Sequence, residues 1–153
     1  VRPHSSIDDA IPNHNGLIAQ NLVRLAVLDG DDRWRAKADA LFAALLPRAA
    51  DNMFGHLSLL NALDLHLTGA EIVVVGEDGE ADALVAAARR SPHATTIVLH
   101  VPRADLLPQQ HPARAKAESV SSAAAFVCRQ QNCSLPVTTA QALIELIARR
   151  TST

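Results

Sequence analysis

Several familiar signals are missing from this 153-residue sequence. There is no basic surplus: 14 Lys and Arg stand against 16 Asp and Glu, a formal net charge of −2, so nucleic acid is not expected as a partner. No apolar run approaches the ~20 residues that a bilayer-spanning helix needs, and no membrane partner is expected. The opening Val1-Arg2-Pro3-His4-Ser5-Ser6 lacks the apolar core of a secretory leader, which points to a cytoplasmic protein. It also lacks an initiator methionine, which fits a fragment or a processed product. Only two cysteines occur. Without a secretory leader, a structural disulfide framework is not expected from them. No internal repeat, G-x-G-x-x-G, P-loop, nucleophile elbow or Ser/His/Asp pattern appears, and no cofactor is implied. Lysine is scarce beside arginine, and alanine is abundant. That bias reads as the composition of a GC-rich bacterial genome rather than as function.

What is present is a globular composition, 48% hydrophobic, arranged around one stretch. Glu71-Ile72-Val73-Val74-Val75-Gly76 holds the only run of four β-branched aliphatic residues, and Glu77-Asp78-Gly79 follows it. Such a run suits a strand buried on both faces. Before it the period is helical. Asn13 is a natural N-cap for a helix running to Leu28, with Ile18, Leu22 and Leu25 on one face, and Gly30 stops it. Asp31 caps a second helix, Asp32 to Leu46, whose stripe is Trp34, Ala38, Leu41, Phe42 and Leu45; Pro47 ends or kinks it. A third helix is expected from Asn52 to Leu67, with Met53, Leu57, Leu60, Leu63 and Leu67 inward and Gly69 terminating it. Short joints make these antiparallel hairpins.

After Gly79 the pattern alternates. A helix over 80–90 carries Ala81, Leu84, Val85 and Ala88 on one face, and Thr96–Val101 reads as a strand parallel to the first. Residues 102–122 are broken by Pro102, Pro108 and Pro112 and read as loop with one short helical turn. Ala123–Val127 reads as a third strand ending at Cys128, and Cys133 falls in the loop that follows. Thr138 with Gln141 makes a capping box for a last helix with Leu143, Ile144 and Ile147 inward. Thr151-Ser152-Thr153 is expected to fray.

Candidate sites divide between chemistry and plain structure. The turn Gly76–Gly79 sits where α/β proteins bind phosphate, but Glu77 and Asp78 would repel an anion, and an acidic cap with a glycine turn explains the residues. Cys128-x4-Cys133 admits a redox dithiol or half of a metal site, with His93, His100 and His111 as further ligands. It equally admits a buried small hydrophobe at a strand end plus a loop thiol. His14, His56 and His66 lie on helices, where a hydrogen-bonded structural histidine is the commoner case. Asp8-Asp9 are adjacent carboxylates that point apart.

The segment Asp9-Ala-Ile-Pro-Asn-His-Asn15, the helix with Asn21-Leu-Val-Arg-Leu25, then Gly55-His56, Glu71–Gly76 and Ala125-Phe-Val-Cys-Arg-Gln-Gln-Asn-Cys-Ser-Leu-Pro-Val137 come in a telling order. In that order and spacing they resemble the C-terminal end of the DUF255 or YyaL-like family, called spermatogenesis-associated protein 20 in animals. Members join a thioredoxin-like domain to a six-hairpin (α/α) barrel similar to epimerases and glycosidases of sugar chemistry. The resemblance covers nearly the whole chain and is most specific at Cys-x4-Cys-x-x-Pro. It implies that residues 1–69 are the last barrel hairpins and 70–153 a small α/β appendage. Asp8, Ala10, Ile11, Pro12 and Asn15 match the family's Asp-Gly-Ala-Ile-Pro-Ser-Gly-Asn-Ser segment, while Asp9, Asn13, His14 and Gly16 depart from it. If that segment lines a barrel cavity, Asn15 and His56 are the candidate catalytic positions.

The expected fold is therefore mixed α/β: helical hairpins, then a three-stranded parallel α/β unit with Ile72–Val75 central. One sheet face would be covered by helix 80–90 and the last helix. The other would need the N-terminal helices or a neighbouring chain. The expected function is a C-terminal structural portion without independent catalysis, joined to the rest of its parent protein or self-associating through apolar helix faces. The alternatives are a redox or metal module at Cys128 and Cys133, and a sugar-processing site near Asn15 and His56.

Overall fold

The structure is a computed structural model and describes residues 7–149. The expectation of fraying at Thr151-Ser152-Thr153 lies outside the described residues. The fold is mixed α/β, helices first and then a small sheet. It divides into two compact units with the boundary between Thr68 and Gly69.

In the helical unit, α1 (His14–Asp29) begins as its cap dictates: the Asn13 side chain accepts the Asn15 N–H at 2.8 Å, and Gly30, at φ 69°, closes the other end. Asp31 caps α2 (Asp32–Asp51) by accepting the Arg33 N–H at 2.8 Å. Pro47 does not end α2. Its ring costs the bond to the Ala43 carbonyl, but both residues are on the exposed side, where water can serve that carbonyl. Ala49, buried beyond the proline, holds the last turn inward. The stripe of α2 lies as its period requires, with Ala38 and Phe42 buried and Trp34, Leu41 and Leu45 partly so. The Trp34 indole N–H donates to Asp29 at 3.0 Å, and the Lys37 ammonium stands 4.6 Å from the ring centroid. In place of a single third helix, a 3₁₀ turn (Met53–His56), capped by Asn52, precedes α3 (Leu57–Thr68).

Two faces in this unit are rotated from the expectation, which leaves Leu22, Leu60 and Leu63 half-buried. The packed side of α1 is Gly16, Ala19, Val23 and Ala26, and that of α3 is Ser58, Leu59, Ala62 and Leu65. Ile18, Leu25, Met53, Leu57 and Leu67 are exposed. The reason is close approach between small residues. A Cβ added to Gly16 would lie 2.7 Å from the Ser58 carbonyl carbon, so α1 and α3 come closest where glycine meets serine, and Val23, Leu59 and Leu65 pack beside that point.

The α/β unit consists of β1 (Ala70–Val75), α4 (Gly79–Arg89), β2 (Thr96–Val101), a 3₁₀ turn (Ala104–Leu106), α5 (Arg114–Ala117), β3 (Ala124–Arg129), β4 (Asn132–Cys133) and α6 (Ala140–Ala148). The sheet order is β2-β1-β3-β4, with β1 interior. β1 and β2 are parallel, Ile72 opposite Val98. The third strand, however, runs antiparallel to β1, Val73 opposite Phe126, and a short fourth strand pairs with it. This corrects the expected three-stranded parallel sheet. The physical cause is the connection over residues 102–123: β2 ends beside Val75, and β3 starts there, opposite Val75. A proline-broken segment that leaves and returns at the same end of the sheet delivers an antiparallel strand.

Ile72, Val74, Ala125 and Val127 face α4 and α6, where Leu84, Ala88, Leu143 and Ile147 cover them. Val73, Val75 and Phe126 face the other way and are covered by Leu107, Ala113 and Ala117. The second face is thus covered from within the unit, by the connection itself, which corrects the expectation that it would need other cover. The last helix is capped by Thr139, one residue later than expected, through the Ala142 N–H at 3.3 Å.

Candidate functional site

In the helical unit the segment before α1 is tied down by one carboxylate. Asp8 accepts the Asn13 N–H at 2.7 Å, the Ser58 N–H at 2.7 Å and the Ser58 hydroxyl at 2.5 Å. Burial alone would raise the Asp8 pKa. The Ser58 and Asn13 donors and the neighbouring His56 outweigh it and hold the carboxyl below its ordinary value. A groove of about 410 Å³ lies alongside, lined by Asp8–Pro12, Leu17, Gln20, Leu57, Ser58 and Asn61. Neither Asn15 nor His56 lines it. Asn15 is in the first turn of α1, its N–H on Asn13. His56 is buried, its Nδ1 2.8 Å from the Asn52 carbonyl oxygen. His66 is likewise engaged, Nε2 2.8 Å from Asp39 and the ring against Phe42.

The turn after β1 is built as a cap. Asp78 accepts the Ala81 N–H at 2.9 Å. Gly76, at φ 139°, is demanded by backbone and by space: a Cβ there would meet the Ala123 Cβ at 2.9 Å. The cleft outside these strand ends, about 350 Å³, carries Glu77, Asp78 and Glu118 against one cation, Arg103. Asp105 binds that guanidinium through two contacts of 3.1 Å. The hydrogen bonds from Arg103 put the Asp105 carboxyl below its ordinary value, although burial opposes this. Glu118 is held by Arg114 at 2.8 Å, and Glu77 and Asp78 at the turn disfavour phosphate. His100 stands at the same end, Nε2 2.8 Å from the Gly76 carbonyl oxygen.

Cys128 and Cys133 form a disulfide. This corrects both the expectation that no structural disulfide would form and the reading of Cys133 as a loop thiol. Cys133 lies on β4, directly opposite Cys128. A two-residue turn, Gln130-Gln131, joins the strands, with Gln130 at φ 53°. The Ser134 N–H donates to the Val127 carbonyl at 2.9 Å, so the neighbouring cysteine pair is non-hydrogen-bonded, the position where opposed side chains come closest. Cys128 is buried and Cys133 half-buried. With the sulfurs joined to each other, neither is a free thiolate for a metal. Among the described residues no group of three or more His, Cys, Asp or Glu side chains is placed to hold one.

Beside the disulfide lies a pair that sequence reasoning does not assemble. His111 Nε2 is 3.2 Å from Glu71 Oε1, and both side chains are buried. A signal for it exists: Glu71 is the one charged residue of a strand that is otherwise wholly apolar, and a buried carboxylate needs a partner. Spacing alone offers His111 only as a metal ligand.

No protein-family model matches the chain, and no curated protein matches it.

Proposed function

We propose that this chain is the C-terminal structural portion of a thioredoxin-and-barrel protein of the DUF255 or YyaL-like type, without catalysis of its own. In this reading its helical unit supplies closing hairpins of the (α/α) barrel. The observation that carries it is that α1 and α3 are each apolar on two opposite sides. One side of α1 packs through Gly16, Ala19, Val23 and Ala26; the other presents Leu17, Ile18, Leu25 and Leu28 outward. In α3 the outward residues are Leu57 and Leu67. A helix with a second apolar side beyond its packed one suits a larger helical assembly, and an exposed patch of this kind seeks cover from the parent protein or a second copy. A sugar-processing site would need Asn15 and His56 at a shared polar cavity, and they do not line the groove beside Asp8.

The test is association of the isolated chain. Sedimentation and binding of a hydrophobic dye should show self-association and dye uptake, both abolished in the Ile18→Lys/Leu25→Lys double variant. A wild-type chain that is monomeric and takes up no dye would rule the reading out.

A further inference from the structure

One register line across the sheet gathers chemistry that the structural reading leaves unused. Glu71 on β1, Cys128 on β3 and Cys133 on β4 are successive partners across three strands. Partners opposed in this way hold their Cβ atoms about 4.5–5.5 Å apart, which puts the Glu71 carboxyl beside the buried half of the disulfide. Glu71 in turn contacts His111 Nε2. The histidine tautomer follows from its other nitrogen: Nδ1 accepts the Ala113 N–H at 3.2 Å, so the ring proton is on Nε2 and is donated to Glu71. A buried carboxyl, a buried imidazole and a disulfide thus share one face with Phe126, Val73 and Leu107.

We propose that Cys128–Cys133 is a redox-active disulfide, reduced by a dithiol, and that Glu71, oriented by His111, delivers the proton that its reduction requires. Cys133 is the reachable sulfur, since Cys128 is only 2% exposed. A thiolate of the dithiol attacks Cys133 Sγ. The disulfide breaks, a mixed disulfide forms on Cys133, and the electron pair goes to Cys128 Sγ. A thiolate in that apolar layer is strongly disfavoured, so it takes a proton that the Glu71 carboxyl relays, and that carboxyl accepts the His111 Nε2–H. The second thiolate of the dithiol then attacks the mixed disulfide and releases Cys133, which is protonated from solvent. The dithiol is oxidised by two electrons to its disulfide, the protein gains two thiols, and the protons lost by the dithiol restore Glu71 through solvent. This role does not depend on whether the helical unit completes a barrel.

The experiment is the rate of reduction of the folded chain by dithiothreitol, read by alkylation and mass, for wild type and Glu71→Gln. The substituted amide keeps an acceptor for His111 and removes only the acid. Circular dichroism checks the fold of both. General acid–base catalysis is worth orders of magnitude, so the variant should be reduced about 10-fold or more slowly, and the difference should vanish in denaturant. A merely structural Glu71 predicts the opposite sign: a loosened sheet exposes the disulfide and speeds its reduction. An equal or faster rate in Glu71→Gln removes the proton-delivery role. A wild-type disulfide that dithiothreitol leaves intact in the folded chain overturns the redox role as a whole.

Discussion

In the α/β unit the largest side chains are the innermost; in the helical unit many of them are outside. Phe126, Ile72, Leu84, Leu107 and Leu143 are essentially inaccessible, whereas Phe54 is 86% exposed and Met53, Leu57 and Leu67 also lie outside. Both units draw on similar residues. The sheet offers two faces, and α4, α6 and the 102–123 connection cover both of them. The three helices bury Phe42, Leu59 and Leu65 but bring α1 against α3 through small residues and leave other large side chains without cover. Burying a leucine is worth about 1.5–3 kcal/mol relative to exposing it, so each uncovered one is stabilisation that the helical unit does not collect.

The comparison can be broken first at the closed core. Phe126→Ala should cost about 3–5 kcal/mol, measured by denaturant unfolding followed by circular dichroism. A cost under about 1 kcal/mol, the surface range, would mean that the α/β core is not closed. Next comes the close crossing in the helical unit. Gly16→Ala should cost about 1–3 kcal/mol by overpacking against Ser58, despite the better helix propensity of alanine. Stabilisation would show that α1 and α3 are free to separate.

The smallest expected effect is at Asp8. Its folded pKa is below the ordinary value of 3.8, so the unfolded chain binds the proton first as pH falls. The stabilisation is therefore fully present above that value and is lost as pH drops through it toward the lower folded value. Asp8 is partly exposed, so the loss should be about 1 kcal/mol. Asp8→Asn should flatten the pH dependence of helical-unit unfolding between neutral and acid; an unchanged slope would show that Asp8 does not hold the segment to Ser58.

Much of this architecture was readable from residue chemistry. Asn13, Asp31 and Asp78 cap helices where short polar side chains meet helical periods, and the β-branched run at Ile72–Val75 is an interior strand. The facing of α1 and α3 was not, because each helix has two apolar sides and hydropathy ranks leucine above glycine. Which side packs is decided by how near two backbones can come, a tertiary quantity. The hairpin that joins the cysteines was hidden for another reason. Its turn is Gln130-Gln131, where hairpins of this length favour glycine and asparagine, and a non-glycine residue at positive φ gives no local signal. The pairing of Glu71 with His111 depends on how the proline-rich connection folds back over the sheet, which no spacing rule encodes.

Trp34 gives the molecule a built-in optical label. It is the only tryptophan, and the chain has no tyrosine, so near-ultraviolet emission comes from a single ring on α2, quenched or brightened by what happens to Asp29 and Lys37 around it. The disulfide, by contrast, reports through its chemistry from the sheet. A single sample therefore carries two orthogonal channels, light for the helices and sulfur for the strands. Mismatched midpoints in those channels would be the direct signature of two units that melt independently.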